Sequence, residues 1–395
     1  MEGERIRGAG GEGIEVTVVI PCLDEAATVG VCVRKAFRAI EGLGLPGEVI
    51  VADNGSSDGS AEAAEREGAR VVREGRRGYG SALLAGFAAA RGRFLVMGDA
   101  DDTYDFGQIP AFVEPLRRGA DLVIGDRLGG RIEPGAMPWH HRWIGVPILS
   151  LILNLLFGSR ISDAHCGMRS ITREAFGRLG LQTTGMEFAS EMLIRAARAG
   201  LRIEQIPITL RRGGRPGRPH LRSFRDGWRH LKMMFLLSPT HLFLIPGAVL
   251  FAAGALLLAV LAPGPIHLGS VLIDYHFMIL GSLLAVLGFN VMTIGMFARV
   301  WAFVEGLDEA DRLLPRLFRI FTLERGLLAG ALAFLAGLGM NVLILVEWLR
   351  KGFTFGGEVR VRPAILGLTL MVIGGQAFFS SFFFSMLGTE RRRRP

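Results

Sequence analysis

Two aspartates that follow a short apolar segment have the clearest potential for chemistry. Residues 94–97 are all hydrophobic, and Gly98-Asp99-Ala100-Asp101-Asp102 comes directly after them. The apolar run predicts a buried β-strand that carries Asp99 and Asp101 to one side, because strand side chains repeat every two residues. Mg²⁺ and Mn²⁺ bind oxygen ligands, typically one or two carboxylates together with substrate phosphates. The spacing therefore favours a divalent-cation site for a diphosphate, and an acidic turn that caps the next helix is the structural alternative.

Alternating strand and helix patterns surround this segment. Short apolar runs predict strands at 16–20, 48–52, 70–73, 94–97 and 122–124. Helical patterns lie between them at 26–42, 60–67, 79–91 and 108–118. This alternation predicts a mostly parallel, Rossmann-like α/β sheet covered by helices.

Three polar clusters follow the predicted strands. Residues 21–25, 53–58 and 99–105 come after the first, second and fourth strands. Ligands of open α/β sheets bind beyond the carboxyl ends of the strands. We therefore expect the three clusters to converge on one site.

The charge of the chain is unevenly distributed. The formal net charge is +8, and basic residues concentrate at 211–232 and 391–394. Such clusters suit anionic lipid headgroups or phosphorylated ligands. No recognised nucleic-acid-binding motif accompanies them, so we expect no nucleic-acid partner.

The cysteines and the N-terminal residues indicate the compartment. Cys22, Cys32 and Cys166 are too few, and odd in number, for a disulfide framework, which fits buried thiols in a reducing compartment. Residues 1–15 lack the apolar stretch of a secretory signal, so none is expected.

The middle of the chain contains further helices. Residues 146–157 are strongly apolar, but a bilayer span needs about 20 residues, so they predict a buried or interfacial helix. An amphipathic helix is predicted at 186–199, and a strand at 202–210. Residues 221–237 combine Trp and Phe with arginines at helical spacing, which favours a helix in the membrane interface over a core-facing helix.

Four long apolar segments predict transmembrane helices, at about 242–261, 277–301, 327–348 and 364–387. An even number of spans puts the segments before and after them on the same side. The loop 262–274 has no Lys or Arg, whereas 302–325 has several and the chain ends Arg-Arg-Arg-Arg-Pro. By the positive-inside rule, we expect the soluble domain and both termini to be cytoplasmic. Four basic residues in 350–362 weaken this signal.

These patterns predict the following division of the chain: a flexible N-terminus at 1–15, a catalytic domain at 16–215, an interfacial helix at 216–240, a four-helix transmembrane domain at 241–388 and a basic tail at 389–395.

Four sequence motifs occur in order: VVIPCLDE at 18–25, VADNGSSDGS at 51–60, RGYGSALLAGFAAARG at 77–92 and GDADDTYDF at 98–106. Together they resemble family 2 glycosyltransferases of the GT-A fold, of the polyprenyl-phosphate (dolichol-phosphate) mannose and glucose synthase type. The resemblance extends over about 16–239 and includes GDR at 125–127, DAHCGMR at 163–169 and the segment 211–213. Part of that subfamily has membrane spans after the catalytic domain.

The resemblance implies roles for residues of the donor site. Pro21, Leu23, Glu25 and Asp53 lie at positions where the family binds the base and ribose of the nucleotide. The metal and diphosphate motif is matched by Asp99, Ala100 and Asp101, with Asp99 and Asp101 as ligands of Mg²⁺ or Mn²⁺.

The resemblance also implies an acceptor site. Asp101, besides its role as a metal ligand, is expected to be one of the catalytic residues of the enzyme. Arg127 and Arg142 match arginines that hold the lipid phosphate. Asp163 and Arg169 match an Asp-x-x-x-Gly-x-Arg element near the acceptor, and Arg212 matches a mobile-loop arginine that closes on the donor diphosphate.

The chain departs from the family pattern at two positions. Thr103 stands where lipid-phosphate mannose synthases usually have Gln, so Asp102 or water is expected to complete the metal shell. Cys166 stands where a Ser often precedes the Gly of the acceptor element. Glu187 and Glu191 are four residues apart on a predicted helix. They either face the acceptor site or lie on a solvated or salt-bridged face of that helix, and the sequence allows both. For His165, a catalytic role and local packing are both open.

The expected reaction is an inverting, metal-dependent transfer of mannose or glucose from GDP-mannose or UDP-glucose to a polyprenyl or dolichyl phosphate at the cytoplasmic membrane face. A phosphate monoester has a second pKa near ~6 and is mostly dianionic at pH 7. It is already a nucleophile, so no general base is needed, and arginines are well suited to hold it.

Two alternatives remain at this stage. A polysaccharide-building membrane glycosyltransferase with a sugar acceptor usually has a Gln-x-x-Arg-Trp motif, which this chain lacks. A transporter with a nucleotide-binding domain usually has ionisable residues inside its spans. The sequence does not specify the sugar, the base, the polyprenyl length or the oligomeric state.

Overall fold

The structure is a computed structural model that describes residues 13–214, 223–268, 271–304, 322–354 and 360–389. The chain divides into two compact units, Met1–Met234 and Phe235–Pro395. Parts of the predicted segments 1–15, 211–232, 216–240, 302–325, 350–362 and 389–395 lie outside the described residues.

The first unit is built on a seven-stranded sheet with the order β3-β2-β1-β4-β6-β5-β7. Strands β1 to β4 are parallel, β7 is parallel to β5, and β6 is antiparallel to both β4 and β5. The strands are β1 (Val16–Cys22), β2 (Gly47–Asp53), β3 (Arg70–Arg73), β4 (Phe94–Met97), β5 (Leu122–Ile132), β6 (Arg169–Thr172) and β7 (Ile203–Leu210).

Helices alternate with these strands, as the sequence predicts. They are α1 (Val29–Gly42), α2 (Ser60–Arg66), α3 (Tyr79–Ala89), α4 (Ile109–Arg117), α5 (Val146–Phe157), α6 (Arg173–Leu179), α7 (Phe188–Arg198) and α8 (Ser223–Leu236). Every residue of β1 and β4 is buried, which explains why both strands read as continuous apolar runs.

Two features of the sheet were not predicted. β5 continues to Ile132 instead of ending at 124, because its polar, glycine-containing half pairs with β7 after an irregularity between Asp126 and Arg131. The pair β6 and α6 was missed, because its strand is short and begins with a charged residue.

Helix α8 has two different faces. Asp226, His230 and Met234, one turn apart, are buried. Phe224 is 96% exposed and Trp228 is 63% exposed. The described part of the predicted interfacial helix therefore packs with one face and leaves its aromatic face uncovered.

The second unit contains α9 (Ile245–Leu261), a hairpin of β8 (Ile266–Leu268) and β9 (Val271–Ile273), α10 (Tyr275–Val304), α11 (Leu323–Arg350) and α12 (Val361–Thr389). Within the described ranges, four helical segments are long and apolar enough to span a bilayer: 240–261, 275–303, 323–350 and 361–387. Glycines allow close packing of these helices. For example, a Cβ on Gly254 of α9 would lie 2.4 Å from the Gly281 carbonyl oxygen of α10.

Candidate active site

The polar segments after β1, β2 and β4 meet at one edge of the sheet, as predicted. Asp24 Oδ1 accepts a hydrogen bond from the Ser57 backbone N–H at 2.8 Å, and the Glu25 N–H donates to Ser60 Oγ at 2.7 Å. These bonds join the first cluster to the second. The third cluster follows β4, which is the neighbour of β1 on its other side.

The predicted nucleotide-binding residues line this edge. Pro21 lies in β1, Leu23 follows it, and Glu25 and Asp53 are buried. The Asp53 carboxylate accepts hydrogen bonds from the backbone N–H groups of Gly55 and Ser56, at 3.3 and 3.2 Å. This fixes the turn after β2.

Asn54 is a residue of this region that the sequence prediction missed. Its amide nitrogen donates to the carbonyls of Glu74 and Arg76, at 3.1 and 2.9 Å, and its amide oxygen accepts the Gly78 N–H at 2.7 Å. Asn54 thereby fixes the glycine-containing loop that leads into α3. Its position inside the VADNGSSDGS motif was the available signal.

Asp99 and Asp101 lie beyond the end of β4 rather than on the strand. The strand ends at Met97, so the two-residue strand repeat does not govern their orientation as expected. The Tyr79 hydroxyl donates to Asp99 Oδ1 at 2.9 Å, while Asp101 Oδ1 accepts from Thr103 Oγ1 at 2.6 Å. Burial, and then the negative charge of Asp101, raises the pKa of Asp99 to about 7.

This pair fits a divalent cation, because a cation nearby would relieve the repulsion that raises the pKa of Asp99. Throughout the described ranges, no group of three or more His, Cys, Asp or Glu side chains is arranged to hold a metal ion. Any cation at Asp99 and Asp101 would therefore take its remaining ligands from substrate or water.

Asp102 does not fit the expectation that it completes the metal shell. Its backbone is left-handed, with φ of 60°, and its carboxylate binds Lys35 Nζ of α1 at 2.6 and 2.9 Å. The third carboxylate of the motif thus forms an ion pair with α1, and no local sequence pattern indicates this pair.

The segment 211–214 lies directly over the acidic motif. The Arg211 N–H donates to the Thr103 carbonyl at 2.8 Å, and the Gly214 N–H donates to the Asp101 carbonyl at 3.1 Å. The Arg211 guanidinium also pairs with Asp105 at 2.7 Å. Arg212, the predicted loop arginine, is an exposed residue of this segment.

Arg127 and Asp163 form a buried bidentate ion pair. Nε and Nη2 of Arg127 donate to the two carboxylate oxygens of Asp163, at 2.6 and 2.8 Å. The Asp163 side chain has no exposed surface, and that of Arg127 is 12% exposed. The structure therefore brings these two predicted acceptor-site residues together.

Arg169 supports the loop that contains Asp163. It is buried, and its guanidinium donates to the carbonyls of Cys166, Ala189 and Ala164, at 2.8, 2.6 and 2.9 Å. Gly167 in the same loop lies against the acidic pair, since a Cβ there would be 2.6 Å from Asp99 Oδ2. In this arrangement Arg169 positions the loop rather than presenting its charge on a surface.

Arg142 has a different environment. It lies in the turn His141–Gly145, and its guanidinium packs over the Trp143 ring at 5.2 Å from the centroid. Trp139 and Trp143 around it are 69% and 70% exposed. Arg142 thus belongs to an aromatic surface, while Arg127 belongs to the buried interior of the site.

Glu191 is part of the scaffold. It is buried, accepts hydrogen bonds from the N–H groups of Gln182 and Thr183, and pairs with Arg195 at 2.9 Å. The salt-bridged alternative is therefore correct for Glu191, although the pair is buried rather than solvated.

Comparisons with known proteins identify the family. Residues 17–180 match the model of glycosyl transferase family 2, and residues 296–388 match the family 2 C-terminal transmembrane region. The chain is 38% identical over 376 residues to the low-salt glycan biosynthesis hexosyltransferase Agl6 of Haloferax volcanii, covering 94% of this chain and 89% of Agl6. The chain belongs to glycosyltransferase family 2. This confirms the resemblance and the GT-A-like fold with its apolar C-terminal helices.

Two further similarities each cover about half of the chain. A dolichyl-phosphate hexose transferase of Haloferax volcanii is 32% identical over 214 residues, covering 54% of this chain and 89% of that protein. A crystal structure of Mycobacterium tuberculosis glucosyl-3-phosphoglycerate synthase with Mn²⁺ and UDP-glucose is 26% identical, with a TM-score of 0.46, over 56% of this chain and 79% of that chain. Family membership makes the protein a membrane-bound glycosyltransferase, which disfavours the transporter alternative.

Proposed function

We propose that this glycosyltransferase transfers a hexose, mannose or glucose, from a nucleoside diphosphate sugar to the phosphate of a polyprenyl or dolichyl phosphate. The observation that carries the proposal is the contact between two unlike sites. An acidic pair, Asp99 and Asp101, lies against the Gly167 loop, and that loop also holds the Arg127–Asp163 ion pair. A donor diphosphate and an anionic acceptor would meet across this loop. The names of two relatives, a hexosyltransferase and a dolichyl-phosphate hexose transferase, are consistent with it.

The donor half of the site is the edge formed by Pro21, Leu23, Glu25 and Asp53, together with the segment from Asp99 to Asp101. Asp99 and Asp101 would hold Mg²⁺ or Mn²⁺, which supplies charge neutralisation for the leaving diphosphate. The segment 211–214 covers this motif through backbone hydrogen bonds to Asp101 and Thr103. Arg212 belongs to this segment and is exposed, so its guanidinium would bind the donor diphosphate from there.

The acceptor half is the Arg127 ion pair. Asp163 holds Nε and Nη2 of Arg127, which leaves Nη1 to reach a phosphate oxygen. A phosphate oxygen of the acceptor attacks the anomeric carbon of the hexose. The bond from that carbon to the diphosphate oxygen breaks, the nucleoside diphosphate leaves with the electron pair, and the configuration inverts. Because the acceptor is already ionised at pH 7, no general base is required.

The exposed apolar surface of the first unit supports a lipid acceptor. Trp139, Trp143 and the α5 residues Ile148, Leu151 and Leu155 are all at least 50% exposed. A contiguous aromatic and aliphatic surface of this kind suits a membrane interface. Arg142 lies within it, over Trp143, where a lipid phosphate would arrive.

The cytoplasmic orientation is also a proposal, and the distribution of Lys and Arg among the loops supports it. The loop 262–274 has no Lys or Arg, whereas 302–325 has several and the chain ends Arg-Arg-Arg-Arg-Pro. Three of the four basic residues in 350–362 form ion pairs with Glu347 or Asp274, but they still count against this bias, because acidic residues contribute little to the positive-inside rule. The bias of the other loops favours a cytoplasmic catalytic unit.

The test is a transfer assay with the purified full-length protein, Mn²⁺ or Mg²⁺ and a polyprenyl phosphate. Radiolabelled GDP-mannose and UDP-glucose are supplied in parallel. Label is expected to enter the lipid phase with one donor and to be lost in Asp101→Ala. Asp102→Asn is the matched control, since its carboxylate faces Lys35 and Asn tolerates the left-handed backbone. Label that enters a glycan but never the lipid would instead support the polysaccharide-building alternative.

A further inference from the structure

The imidazole of His165, beside the acceptor site, has no hydrogen-bond partner within the part of the chain that the structure describes. Among the described residues, six buried side-chain nitrogen or oxygen atoms lack a partner, and His165 contributes both of its ring nitrogens. A buried polar group without a partner loses its hydration and gains nothing in return, so such groups call for a ligand or another compensation. His165 is consequently the most under-satisfied side chain at the edge of the site.

The surroundings of His165 place it between the Arg127–Asp163 ion pair and helix α8. Its backbone N–H donates to Asp163 Oδ1 at 3.2 Å, so it lies directly beside the carboxylate that binds Arg127. Its ring meets the His230 ring of α8 edge-on, with the centroids 4.5 Å apart. His230 is itself fixed by a 2.8 Å hydrogen bond between its Nδ1 and Ser190 Oγ.

The charges around His165 favour an anion. Asp163 offsets the charge of Arg127, but the hydrogen-bond partners of Arg169 are three neutral carbonyls. Burial, and then the nearby His230 and Arg127, hold the pKa of His165 well below 6.5. The ring is therefore neutral, with one N–H to donate, close to the positive charges of Arg127 and Arg169.

We propose that His165 donates a ring N–H hydrogen bond to the phosphate of the lipid acceptor, next to Arg127. This rests on the proposed function and assigns a further substrate-binding residue to it. His165 as a whole is partly exposed, although its nitrogens are not, so the proposal requires the ring to turn until one nitrogen faces the acceptor phosphate. The neutral ring adds direction to the binding of the phosphate, and Arg127 adds charge.

A purely structural role makes a different prediction about acceptor binding. If His165 served packing alone, His165→Phe would keep the ring shape and leave substrate binding unchanged. If a ring nitrogen instead binds the acceptor, His165→Phe removes two buried polar atoms that have no partner in the free protein. The thermal midpoint of the free protein then stays the same or rises. Stability and acceptor binding then change independently.

The experiment measures initial rates with the full-length protein in detergent, varying the polyprenyl phosphate and the donor separately. In His165→Phe, we expect the KM for polyprenyl phosphate to rise about 10- to 100-fold, the range for a hydrogen bond to a charged group. The donor KM and the thermal midpoint should not worsen. His165→Gln, which keeps an N–H near the Nε2 position, should recover part of the acceptor affinity. His267→Phe, an exposed histidine of β8, is the matched control.

The outcomes separate the two proposals. If the unmodified protein labels no polyprenyl phosphate with either donor, the proposed function is wrong. If it does, but His165→Phe keeps the acceptor KM, or loses thermal stability while the donor KM rises equally, the role of His165 is wrong and the proposed function stands.

Discussion

At the scale of single residues, Asp99 couples the site to pH. Its pKa is raised from 3.8 to about 7 by burial and then by Asp101. The folded protein without metal therefore gains stability from a proton on Asp99 at low pH, and loses it as the pH rises through about 7. A cation has to displace this proton. The apparent affinity for Mn²⁺ should fall about tenfold for each pH unit below 7 and level off above it, as expected for competition with one proton.

Electron paramagnetic resonance of free Mn²⁺ at pH 6, 7 and 8, with nucleoside diphosphate present, measures this dependence. Tyr79→Phe provides a second check. The Tyr79 hydroxyl donates to Asp99 and lowers its pKa. Removing it should move the profile to higher pH. An affinity that is flat from pH 6 to 8 would contradict the assignment of Asp99.

The Arg127–Asp163 pair gives a second prediction at this scale. Breaking a buried ion pair on one side leaves an uncompensated charge, which destabilises proteins by about 3–5 kcal/mol. Asp163→Ala should lower the free energy of unfolding by this amount. Arg127→Lys keeps the charge but loses the bidentate geometry, so it should lower acceptor use more than stability. Denaturant unfolding and transfer rates of the same variants test both statements, and equal stability of Asp163→Ala would oppose them.

At the scale of elements, three polar pairs join α10, together with the residue before it, to α12. They are Asp274 with Arg362, Ser282 with Thr369 at 2.6 Å, and Asn290 with Gln376. Successive pairs lie about two helical turns apart, so they form a row along one helix interface. Interhelical hydrogen bonds in membranes contribute about 0.6–2 kcal/mol each, and they also specify register.

Replacing one member of the Asn290–Gln376 amide pair should therefore weaken the packing of α10 and α12. Asn290→Leu and Gln376→Leu should each destabilise the protein by about 1 kcal/mol. The double variant should cost less than the sum, because neither amide is then left alone. Thermal unfolding in detergent provides the values, with Leu283→Ala on the exposed side of α10 as control. Strict additivity would show that the amides do not interact.

The elements also show how far the sequence leads. β1, β2 and β4 were predictable because buried parallel strands are continuous apolar runs, and the polar clusters after them were predictable from strand order alone. Asp102 and His165 were not, because their partners Lys35 and His230 come from distant helices. A local sequence pattern does not indicate contacts between residues that are far apart in the chain. The second half of β5 was not predicted for another reason. It is a strand because it pairs with β7, and its own residues are not hydrophobic enough to indicate one.

At the scale of the whole molecule, the orientation in the membrane decides where the product is made. The proposed cytoplasmic catalytic unit requires that the hairpin of β8 and β9 and the residues after α11 lie on the opposite side. Cysteine labelling can decide this, because the native thiols are expected not to react with a maleimide. Cys22, Cys32 and Cys166 are buried, and burial raises the pKa of each to about 12, so almost no thiolate is present at neutral pH.

Single cysteines at exposed positions then report each side. With a membrane-impermeant maleimide on intact cells, His267→Cys and Thr354→Cys should be labelled, whereas Arg118→Cys after α4 should be labelled only after lysis. The two outer positions serve as controls for each other, since they flank different pairs of spans. Labelling of Arg118→Cys in intact cells would show that the topology is the reverse of the proposed one. Donor and acceptor phosphate would then have to meet outside the cytoplasm, where nucleotide-sugars are not made, so the proposed acceptor reaction would lose its donor.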